Sequence, residues 1–136
     1  MLKVHHIGYL VKDIEISKLD FLKLGYSEVS PIVHDKARKI RICFMENADV
    51  MVELVEPCDD CEFLKGLKKK IGVGTYHICY ECDNVDNTIQ KLTSDNGGGY
   101  IIIQEPSPAV AIGNRRVVFM FSPNVGLIEL VEIQGA

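Results

Sequence analysis

No apolar run in the chain approaches the ~18 residues that a helical membrane span needs, so no such span is expected. Basic charge is not in excess either. Fifteen Lys and Arg stand against 19 Asp and Glu, a net charge of −4. A nucleic-acid backbone or an anionic membrane surface calls for the opposite sign, and neither is an expected partner. The first residues lack the unbroken apolar stretch of a secretory signal, because His5, His6 and Lys12 interrupt it, and a cytoplasmic location is expected. An even set of cysteines is missing too. There are five, an odd count that does not favour a disulfide framework.

Four of those cysteines do have a suggestive spacing. Cys58-x-x-Cys61 is followed after seventeen residues by Cys79-x-x-Cys82, inside the range of a four-cysteine zinc site. The run "TYHICYEC" around the second pair reads as a strand with no turn residue between its cysteines. Residues three apart on a strand point to opposite faces, so these two are not expected to chelate one ion. The lysines of "KGLKKK" (65–70) are expected to form a solvated helix face.

What is present is an ordinary soluble composition, 47% hydrophobic and 25% charged over 136 residues. One domain, 1–136, with a core of its own is expected. The first half reads as a strand over 2–11, an N-cap at Asp13, and a helix carrying Ile14, Leu19 and Leu22 that stops at Gly25. Three strand-like runs follow: "YSEVSPIV" (26–33), "KIRICFM" (39–45) and "VMVELVE" (50–56). Residues 58–73 read as a linker with a short helix. The second half repeats the order. "TYHICYEC" (75–82) is a strand, Asn84 caps a helix with Val85, Ile89 and Leu92 on one face, and "NGGG" (96–99) ends it. "YIIIQE" (100–105), "RRVVFMF" (115–121) and "GLIELVEI" (126–133) are the closing strands, and "EPSPAVAIGN" (105–114) reads as a connection.

The chain is therefore βαβββ written twice, with module 1 over about 1–57 and module 2 over about 74–133. His6 answers to His77, Asp13 to Asn84, and Glu53 to Glu129. "ARKIRICF" set against "NRRVVFMF" places Arg38 opposite Arg115. Strand parity puts Glu53 on a face with Met51 and Val55, and Glu129 with Leu127 and Val131. Both glutamates thus lie in strands that are apolar on both faces, where an unpaired carboxylate is costly. Two histidines at repeat-related strand positions supply the reason for them. Together the four make an N₂O₂ ligand set suited to a divalent Ni, Zn, Co or Mn ion. His5 and His34 have no repeat partner and are read as structural.

The segments "HHIGYLVKDI", "VELVEP", "YHICYECDNV" and "GLIELVE" resemble the vicinal oxygen chelate superfamily over nearly the whole chain. Within it the chain is similar to bacterial glyoxalase I (lactoylglutathione lyase) and to methylmalonyl-CoA epimerase. The resemblance implies an α+β fold in which two βαβββ modules form a curved eight-stranded mixed sheet. It implies metal ligands at His6, Glu53, His77 and Glu129, choosing His6 over His5 because the ligand directly precedes "IGYLV". It also implies a homodimer and a small thiol- or CoA-linked substrate.

A glutamate at the second ligand position, Glu53, leans toward glyoxalase I. The expected activity is a metal-dependent lyase that turns a 2-oxoaldehyde–thiol hemithioacetal into a 2-hydroxyacyl thioester through an enediolate, with Glu129 and then Glu53 as candidate base. An acyl-CoA epimerase using the same enolate chemistry is the first alternative, and a non-catalytic small-molecule-binding protein of the same fold the second. Arg38, Arg41, Arg115 and Arg116 are candidates, by charge, for a substrate carboxylate.

Overall fold

A computed structural model describes residues 2–94 and 98–133. By contact density the chain divides into two compact units, residues 6–76 and residues 77–136 together with residues 1–5.

The first half is built from β1 (Lys3–Leu10), α1 (Ile14–Lys23), β2 (Ser27–Glu28), β3 (Val33–Asp35), β4 (Ile40–Asn47), β5 (Val50–Pro57) and α2 (Glu62–Ile71). Its strands run in the order β2-β4-β5-β1, with β3 also on β4. β1 pairs with β5 in parallel and β4 with β5 antiparallel. The second half holds β6 (Gly74–Cys82), α3 (Val85–Thr93), β7 (Ile101–Ala109), a 3₁₀ turn at Val110–Ile112, β8 (Arg115–Ser122) and β9 (Gly126–Glu132). Its order is β6-β9-β8-β7, again with one parallel pair, β6 and β9. Mixed sheet pairing with three helices is the α+β architecture that the repeat implies.

The helices α1 and α3 start where the caps predict. Asp13 accepts from the Ile16 amide at 3.2 Å and Asn84 from the Asn87 amide at 2.9 Å. Gly25, at φ +97°, takes the left-handed turn that ends α1. Of the expected "NGGG" stop, Asn96 and Gly97 lie outside the described residues, and α3 ends at Thr93 with Ser94 as its cap.

Alternation along the strands separates two faces. In the first unit Cys43, Met45, Val52 and Leu54 pack with Ile14 of α1 in one cluster, joined by Ile7 and Tyr9. In the second, Val118, Met120, Ile128 and Leu130 pack with Val85 of α3. Burying each such side chain contributes about 1.5–3 kcal/mol. The helices thus cover one face of each sheet, and the residues one place along each strand point to the other.

Two expectations fail in detail. "YSEVSPIV" is not one strand, and the described residues hold nine strands rather than eight. Pro31 has no amide to donate, and the chain detours there. The Val29 and Ser30 amides both donate to the Phe44 carbonyl, and Ser30 Oγ accepts from the Phe44 amide at 3.0 Å. "EPSPAVAIGN" is not wholly a connection, because β7 continues to Ala109 through Pro106 and Pro108. β7 ends the strand order of its unit, where missing amides are tolerated, and its register with β8 shifts twice. The linker 58–73 does hold a helix, α2, with Lys65, Lys68, Lys69 and Lys70 on it. Among the described residues no helix is long and apolar enough to cross a membrane.

Candidate functional site

The face opposite each helix carries the polar residues. His6 on β1 is 1% exposed and Glu53 on β5 is 7% exposed, and the parallel pairing sets Glu53 beside Gly8, two residues past His6. His6 Nε2 lies 3.5 Å from Glu53 Oε1. In the second unit His77 on β6 and Glu129 on β9 are 4% and 5% exposed, and His77 Nε2 lies 3.0 Å from Glu129 Oε1. The structure thus joins each histidine to the glutamate of its own half.

A phenylalanine completes each pair, and no sequence signal marks it. Phe44 stands opposite Glu53 across β4 and β5, and Phe119 opposite Glu129 across β8 and β9. Phe44 meets the His6 ring edge-on at 5.2 Å between centroids, and Phe119 meets His77 likewise at 5.1 Å. Such contacts fix the plane of each imidazole.

The spacing within the pairs suits a metal. Two ligands at right angles on an octahedral ion, each about 2.1 Å from it, lie about 3.0 Å apart. The 3.0 Å separation of His77 and Glu129 matches such a ligand edge, and the 3.5 Å separation of His6 and Glu53 is half an ångström wider. Imidazole nitrogen and carboxylate oxygen are donors for borderline and hard divalent ions.

The cysteines do not form a shared centre. Cys79 lies in a cluster with Val117 and Val131, and Cys82 lies with Val85 and Met120 on the helix side. The two point to opposite faces, as strand geometry requires. Burial pushes the Cys43 thiol up to about 11 and raises Cys82 in the same direction.

The arginines are committed elsewhere. Arg41 Nη1 donates to Glu56 at 2.9 Å, and its Nη2 bonds Glu15. Glu56 also accepts from the Ile14 amide at 3.1 Å, so one carboxylate ties β5, β4 and the start of α1 together. The second unit has the same clamp. Arg116 binds Asp86 through both its Nη atoms at 3.1 Å, and it also reaches Glu132, which accepts from the Val85 amide at 2.9 Å. Arg116 holds the Asp86 carboxyl below its ordinary range, as Arg41 does for Glu15.

The true repeat partner of Arg41 is therefore Arg116. The expected match of Arg38 with Arg115 slips by two residues, because Phe44 and Phe119 set the register 75 places apart rather than 77. Arg38 pairs with Asp35 and Arg115 with Glu81. All four arginines engage carboxylates of the chain itself.

Comparison with known proteins agrees with this architecture. The family model of the glyoxalase/bleomycin resistance protein/dioxygenase superfamily matches residues 5–119. A mitochondrial methylmalonyl-CoA epimerase of Dictyostelium discoideum is 26% identical over 96% of this chain and 78% of its own length. Among solved structures, a hypothetical protein from Bacillus halodurans C-125 superposes with a TM-score of 0.83 at 23% identity, covering 99% of this chain and 96% of that one. Methylmalonyl-CoA epimerase from Mycobacterium tuberculosis gives 0.78 at 22% identity, covering 97% and 88%.

These likenesses overturn the glyoxalase I expectation, with its methylglyoxal hemithioacetal substrate. The named relatives are epimerases. The lean that Glu53 gave toward glyoxalase I is not supported by these relatives. The expectation of an enzyme, lyase or epimerase, stands. The chain belongs to the glyoxalase/bleomycin resistance protein/dioxygenase superfamily.

Proposed function

We propose that the chain is an epimerase of a 2-substituted acyl-CoA of the methylmalonyl-CoA class, and that His6, Glu53, His77 and Glu129 together hold the divalent ion it uses. Ni, Zn, Co and Mn are the candidate ions. The observation that carries the reading is a buried His–Glu pair, with an edge-on phenylalanine, in each half of a chain whose named relatives are epimerases.

An ion held by these four residues would supply positive charge to a thioester oxygen that gains negative charge. The chain supplies the proton chemistry. Epimerisation at C2 breaks a C–H bond on one side of the carbon and remakes it on the other, with no net change in atoms or electrons. We assign Glu129, as the carboxylate, to take the proton and Glu53, protonated at the outset, to return one, so that the two exchange protonation states in the turnover. Two carboxylates at equivalent places of a repeated unit fit a reaction that runs equally in both directions. His6 and His77, each braced by its phenylalanine, would hold the ion beside those carboxylates. The apolar residues beside them on the same strands, Val55 and Val131, are fully buried and keep water away from the carbanion.

The test is conversion of stereochemically pure methylmalonyl-CoA. Chain supplied in turn with Co, Ni, Zn and Mn should bring one C2 isomer to an equal mixture. Failure with all four metals on a folded, metallated protein removes the proposal.

A further inference from the structure

The Cys58–Cys61 motif is not absorbed by the reaction above. Residues 58–61 form a tight turn between β5 and α2, closed by the Cys61 amide donating to the Cys58 carbonyl at 3.0 Å. Such a turn brings its first and last Cα atoms within about 7 Å. A disulfide spans Cα separations of about 4.4–6.8 Å, so the two thiols are within bridging reach. They differ in access. Cys58 is half-exposed, whereas Cys61 is 4% exposed, and its thiol donates to the Arg38 carbonyl at 3.6 Å. Cys58 Sγ lies 3.9 Å from Nε2 of His34 on β3, an exposed histidine with no counterpart in the other half.

We propose that Cys58 and Cys61 are a dithiol redox site, in which Cys58 attacks a carboxylate-bearing low-molecular-weight disulfide with His34 as its base and Cys61 closes the ring. The step balances. His34 takes the Cys58 proton, and the thiolate forms a bond to one sulfur of the disulfide. The disulfide's own S–S bond breaks, and the departing thiolate takes the proton from His34. Cys61 then attacks the Cys58 sulfur and releases the second small thiol, its own proton following. One dithiol and one disulfide yield one protein disulfide and two thiols.

The surroundings fit these roles. Burial, with the nearby Asp60 next, holds the Cys58 thiol above its ordinary value. A thiolate there forms near neutrality only if a neighbour takes the proton, and it is then a strong nucleophile. A cleft of about 270 Å³ opens onto both cysteines. Asp59 and the ammonium-bearing Lys65, Lys68 and Lys69 line it, a cationic balance that favours an anionic disulfide. Cys43, Cys79 and Cys82 are buried and serve as internal controls.

The test incubates reduced full-length chain with glutathione disulfide, quenches with an alkylating agent and maps the peptides by mass. The expected result is joint loss of alkylation at Cys58 and Cys61 and a linked peptide lighter by two hydrogens. Cys61→Ser should trap the mixed disulfide on Cys58, and Cys58→Ser should leave Cys61 unmodified. His34→Ala should slow the first step several-fold at neutral pH and lose that effect in alkali. Lys68→Glu should slow the reaction with glutathione disulfide more than that with uncharged 2-hydroxyethyl disulfide. A mixed disulfide that persists on Cys58 in the unsubstituted chain overturns the proposal. So does an unchanged rate in His34→Ala, or modification of the buried cysteines first.

Discussion

His77 Nε2 stands 3.0 Å from Glu129 Oε1, with both side chains buried on the face of the second unit that turns away from α3. The same arrangement recurs between His6 and Glu53 in the first unit. A fold does not need two such pairs for stability, since buried polar groups of this kind only offset their own desolvation. Their recurrence is the physical reason for reading them as ligands.

Removing a histidine should therefore cost metal. His6→Ala and His77→Ala should each weaken divalent-ion affinity by orders of magnitude, measured by calorimetric titration of metal-free protein. His5→Ala should leave affinity unchanged, because His5 has no repeat-related histidine in the second half, where Tyr76 precedes His77. Metal loss in His5→Ala with retention in His6→Ala would reverse the assignment.

Glu129→Gln separates binding from proton transfer. The amide oxygen still coordinates but cannot accept a proton. Metal content should survive better than turnover, and the loss should fall on kcat more than on KM. An unchanged kcat moves the base elsewhere.

The clamps make a stability prediction. Glu56→Ala and Glu132→Ala each delete a bond to a helix amide and an arginine partner, and each should destabilise by about 1–2 kcal/mol in denaturant unfolding. The KM of the metallated enzyme should hardly change. A rise in KM with stability intact would make these arginine clusters a substrate contact after all.

Cys43 predicts an alkaline limb. Its thiol, ordinarily at 9.0, is pushed up to about 11 by burial, so the folded chain keeps a proton that the unfolded chain releases. The associated stability is complete below the unfolded value and is lost as pH rises toward and through the folded one. Unfolding midpoints between about pH 8 and pH 11 should fall less steeply in Cys43→Ala. Parallel curves would remove the effect.

The strands, caps and histidine–glutamate pairs were legible because each is a local signal. Alternation marks a strand, Asp13 and Asn84 mark helix starts, and an acidic residue inside an apolar strand stands out. The arginine match was not legible, because the offset between halves drifts along the chain. It is 71 from His6 to His77, 75 from Phe44 to Phe119 and 76 from Glu53 to Glu129. The last step has a visible cause. Two residues join Asn47 to Val50, and three join Ser122 to Gly126. Only cross-strand register reveals such shifts, and only register places Phe44 and Phe119 against the histidines. The break at Pro31 and the extension of β7 through its prolines depend likewise on which strand is at an edge. The substrate lay beyond the sequence because the same ligands serve a lyase and an epimerase.

The most direct measurement is exchange at C2 of methylmalonyl-CoA in deuterated water, followed by mass with the metallated chain and with its Glu53→Gln and Glu129→Gln variants. Deuterium should enter C2 as the isomers interconvert, and each substitution should cut the rate sharply while metal stays bound. Metallated chain that leaves C2 protonated, or a Glu53→Gln, Glu129→Gln double variant that exchanges as fast as the unsubstituted chain, would contradict the assignment of the two glutamates to proton transfer.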